Sequence, residues 1–117
     1  MRIYLPTTLG RLAEDHAAGA VPVGGDVVVA EDESEEAEYA ALMTAADAST
    51  VLLGGAGRRV VVVADVRTAP GGGDRVPFAD VVAVHADLEE RPEGADPDED
   101  LAWFATQEVP DLLAEPR

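Results

Sequence analysis

Residues 59–66 read Arg-Val-Val-Val-Val-Ala-Asp-Val, and this run constrains the fold more than any other stretch. A strand with one wet face alternates apolar and polar residues. A strand covered on both faces reads as an unbroken apolar run, and β-branched residues favour the extended backbone. Residues 59–66 are therefore expected to form a central strand with protein packed above and below.

The flanking sequence supplies the rest of a small α/β domain, with α+β as the neighbouring class. Residues 2–5 read as a first strand ended by Pro6. Thr7 or Thr8 is placed to cap a helix whose face is Leu9, Leu12, Ala13, His16 and Ala17, with Gly19 as its stop. Residues 21–25 read as a turn and residues 26–30 as a short strand. Asp32 and Glu35 have capping-box spacing, and the acidic run 31–38 suits a helix N-terminus. The helix that follows, residues 34 to about 53, carries a stripe of Tyr39, Leu42, Met43, Ala46, Thr50 and Leu53, and the glycines after it end it. Beyond the central strand, residues 67–77 and 87–99 read as flexible surface loops around a strand at 80–86. Asp98 or Asp100 is placed to cap a helix over 100–107, and residues 109–117 form a docked or mobile tail. The order is β-α-β-α-β-β-α. It predicts about four strands in one sheet with helices packed on it, a largely parallel beginning with right-handed crossovers, and a single domain over residues 1–117.

Charge decides which partners are plausible. The net charge is −16, and every basic residue is Arg. Such a chain should be repelled by phosphate backbones and anionic membranes, so neither nucleic-acid nor membrane binding is expected. The acidity fits a highly soluble surface, a docking face for a basic or other protein partner, or adaptation to high salt. No apolar stretch approaches the roughly 20 residues that span a bilayer. The opening lacks a signal peptide's apolar region, and with no Cys the chain fits the cytoplasm.

Catalytic signatures are weak. Gly54-Gly55-Ala56-Gly57-Arg58-Arg59 follows a helix and opens a strand, whereas a phosphate loop follows a strand and opens a helix. His85 and Asp87 are two apart on a strand and share a face, so Asp65 on a neighbouring strand would complete a metal-binding or acid–base trio. The acidic segment 96–100 lacks the glycine and closing glutamate of an EF-hand. The sequence holds no nucleophile elbow or zincin motif. No cofactor and no metal are expected.

Four segments carry a resemblance: the opening Met1-Arg2-Ile3-Tyr4-Leu5-Pro6-Thr7-Thr8-Leu9, the helical Glu38-Tyr39-Ala40-Ala41-Leu42, the strand 59–66, and the ending 101–113 with Trp103, Phe104, Glu108 and Pro110. Together they resemble a family of small, acidic, uncharacterised actinobacterial proteins. The resemblance implies a cytoplasmic bacterial protein and brings no catalytic residues with it. The leading expectation is a non-enzymatic acidic module that binds or regulates a protein partner, with Trp103, Phe104 and Glu108 as its binding residues. The alternative is a small enzyme or metal-binding protein using His85, Asp87 and Asp65. A concave pocket gathering those three favours the alternative; Trp103 exposed beside acidic residues favours the binding module.

Overall fold

The valine run forms the strand Val60–Asp65, with every residue buried except Asp65. A computed structural model describes residues 1–114. In chain order they form β1 (Arg2–Thr7), α1 (Leu9–Ala18), β2 (Ala20–Pro22), β3 (Val28–Val29), α2 (Glu35–Leu53), β4 (Val60–Asp65), β5 (Arg75–Pro77), β6 (Val81–Ala86), β7 (Ala102–Ala105) and α3 (Val109–Ala114). This is one α+β domain. Among the described residues, five strands form a sheet in the order β3-β1-β4-β6-β7, and β2 pairs with β5 in a separate ribbon. The strand expected at the heart of the fold is the middle strand of the larger sheet.

The parallel beginning is not found. Every neighbouring pair among the described strands is antiparallel. The physical reason lies in β1, which pairs with β3 on one side and β4 on the other. Because both are antiparallel to β1, β3 and β4 run in the same direction, and α2 joins them by passing over the strand between. The expected β-α-β step is thus split by β1. The first expected step, from β1 to the strand at residues 26–30, fails because that strand, β3, lies beside β1 and antiparallel to it; β2, at residues read partly as a turn, pairs with β5 outside this sheet. Residues 75–77, read as loop, are that β5.

The sheet is covered on both faces at β4, as an unbroken apolar strand requires. On one face Ile3, Leu5, Val60, Val62, Val84 and Ala86 pack with Leu9 and Leu12 of α1, Val21 and Val76 of the ribbon, and Val109 and Leu112 of α3. On the other, Tyr4, Val61, Val63 and Ala83 pack against Ala41, Ala45 and Ala46 of α2.

Local signals set the helix ends. The Thr8 hydroxyl accepts from the Arg11 N–H, and Gly19 takes the left-handed conformation that ends α1. At α2 the cap is Ser34, which accepts from the Ala37 N–H; Asp32 instead accepts from the Ser34 N–H one step earlier. Gly54 ends α2 at φ 69°. The buried face of α2 is also rotated from the expected stripe. Ala41, Ala45, Ala46 and Ser49 face the sheet, whereas Tyr39 is exposed. Small side chains let the helix backbone approach closely enough for Ser49 to reach two strands. Its hydroxyl donates to the Thr7 carbonyl of β1 at 2.7 Å and accepts from the Val60 N–H of β4 at 3.0 Å.

The expected helix over 100–107 is also corrected. Residues 102–105 are β7, paired with β6, and a 3-10 turn follows at 106–108. The hydrogen-bonding edge of β6 outcompetes the modest helical preference of Ala-Trp-Phe-Ala. Asp100 caps no helix here and accepts a hydrogen bond from Tyr39. The short tail helix α3 docks through Val109 and Leu112; residues 115–117 of the expected tail lie outside the described residues.

Candidate functional site

α2 crosses above β1, β3 and β4 and leaves the β6–β7 half of that sheet face uncovered by any helix among the described residues. The step between helix and bare strands makes a groove of about 360 Å3. Tyr4, Val63, Ala83 and His85 form its floor; Glu38, Tyr39 and Leu42 of α2 form one wall, and Trp103 stands opposite. Trp103 is 60% exposed and Tyr39 51% exposed. Exposed rings of this size beside a groove are the anchors that protein interfaces use most.

Hydrogen bonds and ion pairs link the polar side chains around the groove. Tyr39 donates its hydroxyl hydrogen bond to Asp100 at 2.7 Å, tying α2 to the residues that lead into β7. This bond raises the Tyr39 pKa. Among the described residues, the one guanidinium in the groove is Arg2, already held by Asp65 through bonds of 2.9 and 3.1 Å, with Glu38 at 3.6 Å. Arg2 in turn holds the Asp65 carboxyl below the usual carboxylate range.

His85 lies opposite Trp103 in the β6–β7 register. Burial lowers its pKa, because the sheet and helix strip water from the charged ring. The unfolded chain therefore takes up this proton at a higher pH than the folded one. His85 favours folding fully above the ordinary histidine value of about 6.5, and that contribution is lost as pH falls through 6.5 toward the lower folded value. Between pH 7.5 and 5.5, wild type should lose more stability than His85→Gln in urea unfolding. Equal losses in the two proteins would show that His85 is not desolvated.

The expected trio does not assemble. Asp87 lies past the end of β6 and turns to Arg59, whereas Asp65 is at the opposite end of β4, roughly 20 Å away at about 3.3 Å per residue. Asp87 is 6% exposed and Arg59 2%. The Asp87 carboxylate accepts from the Arg59 backbone N–H at 2.8 Å, from Nε at 2.9 Å and from an Nη at 2.8 Å. The same guanidinium donates to the Pro97 and Glu99 carbonyls at 3.2 and 2.8 Å. Among the described residues, no group of three or more His, Asp or Glu side chains is placed to hold a metal ion. A second cavity, about 400 Å3, opens beside Gly55 and Gly57, with Arg59 and Arg91 in its wall. Arg59 is committed to Asp87, and Arg91 donates to the Asp96 carbonyl. Asp47 and Glu93 also line this cavity, so its charge does not suit a phosphate.

A family model described as a family of unknown function, DUF6912, matches residues 1–113. The chain belongs to the DUF6912 family. No curated protein and no solved structure matches it.

In this DUF6912 chain the three binding residues read from the sequence are not brought together. Trp103 faces the groove. Phe104 points to the opposite sheet face and packs on the larger core. The Glu108 carboxylate accepts from the Ala105 N–H at 2.8 Å, a bond internal to the end of β7. Sequence reasoning missed Tyr39, Glu38 and Asp100 as neighbours of Trp103. Tyr39 sat in the stripe assigned to the core, and no local pattern pairs residue 39 with residue 100. It also missed Arg59 as a buried hub. Its signal was an arginine directly preceding the buried valine run, where an unpaired charge cannot stay.

Proposed function

We propose that the chain is a non-enzymatic, acidic protein-binding module whose partner seats in the groove between α2 and β7. The observation that supports this most is the exposure of Trp103 on a half-sheet that no helix among the described residues covers. An exposed indole on a bare sheet face gains by desolvation only when another surface covers it. The rigid tethers around it and the separation of Asp65 from Asp87 favour recognition over chemistry. The resemblance to acidic actinobacterial proteins adds a bacterial, cytoplasmic setting to this reading, in which binding regulates the partner.

The sole tryptophan makes the test direct. Proteins captured from a native lysate by wild type should be lost with Trp103→Ala, and adding the purified captured protein should shift the Trp103 emission. Capture unchanged by Trp103→Ala, with no emission change, would place the binding face elsewhere. Circular dichroism on the variant separates loss of binding from loss of fold.

A further inference from the structure

The groove ends at an open sheet edge, because β7 is the last strand and pairs only with β6 among the described residues. Two hydrogen bonds show which of its backbone groups face outward. The Asp87 N–H donates to the Arg59 carbonyl across β4 and β6, so the alternate residues Ala83 and His85 also turn their backbone groups toward β4. Val84 and Ala86 therefore face β7 and bond to Phe104 and Ala102, their register partners. Trp103 and Ala105 are left pointing away from the sheet. The Ala105 N–H is indeed taken by Glu108 from outside. What remains open is the N–H and C=O of Trp103, directly beside its exposed ring.

Charge narrows what can pair there. Asp98, Glu99 and Asp100 lead into β7 and Glu108 closes it; Glu38 lies in the groove wall. Among the described residues Arg2 is the groove's one guanidinium, bound to Asp65 and 3.6 Å from Glu38. A second copy of this chain would bring another −16 to the same place. Resting on the binding reading above, we propose that the occupant is an extended, arginine-bearing segment of a partner protein that adds to β7 as a short sixth strand. Its backbone exchanges two hydrogen bonds with Trp103, in the manner of strand addition at sheet edges. An arginine beside that pair lays its guanidinium on the indole face, with carboxylates at Glu38 and Asp100 to receive it. Because Glu108 occupies the next donor, the added strand is confined to the N-terminal part of β7.

Short synthetic peptides of alternating Arg and Val test this, with Trp103 emission as the readout. The expected result is saturable binding that weakens about tenfold when salt rises from low to physiological strength or above, and is lost when backbone N-methyl groups replace the amide hydrogens. Glu38→Gln should weaken binding severalfold without changing the circular dichroism spectrum. Equal binding of a Glu–Val peptide would overturn the basic partner while leaving the groove as a binding face. Undiminished binding of the N-methylated peptide would overturn strand addition. If no peptide binds, yet sedimentation shows dimers that Trp103→Ala abolishes, the occupant is a second copy and the proposal falls. If no peptide binds and a captured protein still depends on Trp103, this proposal fails and the reading it rests on survives.

Discussion

Asp87→Ala is expected to destabilise the folded chain by about 3–5 kcal/mol, because it strands a buried guanidinium without its counter-charge. Arg59 is nearly inaccessible, and Asp87 receives both its side chain and its backbone N–H. A typical domain is stable by only about 5–15 kcal/mol, so the variant should unfold at far lower urea concentration. Replacing both partners, as in Arg59→Met with Asp87→Leu, should be milder than Asp87→Ala, since no charge is left buried. It will not restore wild type, because the Pro97 and Glu99 carbonyls lose their donor. A urea midpoint for Asp87→Ala close to that of wild type would show that water reaches the pair.

Val61→Asp and Val62→Asp should each cost several kcal/mol, for different reasons of place. Val61 packs under α2, and Val62 packs on the opposite face with α1, α3 and the ribbon. Both are 0% exposed. Each substitution buries a carboxylate with no cation beside it, and thermal unfolding followed by circular dichroism should show both variants severely destabilised. If either melts within a few degrees of wild type, that face of β4 is open to water.

The two faces of β4 were legible because burial on both sides leaves an unambiguous mark, an unbroken apolar run. The limits of α1 and the end of α2 were legible for a related reason: Thr8, Gly19 and Gly54 act within one helical turn. Strand direction was not legible. Whether α2 joins adjacent strands or passes over one depends on where β1 lies in the sheet, and nothing near residues 28–60 encodes that. The rotated face of α2 misled for a different reason. Apolar size ranks Leu42 and Met43 above Ala45 and Ser49, but close packing on a valine sheet selects for smallness. β7 was misread because its partner, β6, lies about 20 residues earlier and its hydrogen bonds are non-local. In the groove, Trp103 was identifiable as an unusual large residue in a chain poor in aromatics. Its neighbours Tyr39 and Asp100 come together only through the fold.

The Ser49 hydroxyl joins β1 to β4 beneath α2 at a single point. A helix held only by alanines against valines would be free to roll or slide a fraction of a turn, since such contacts have little direction. A hydroxyl that must serve a donor and an acceptor on two different strands has one azimuth and one axial position that satisfy both. Further along the same helix, Glu38, Tyr39 and Leu42 inherit that setting. The wall of the groove is thus set by the fold itself, and if the proposed partner seats there, little of its binding free energy would be spent on ordering the protein.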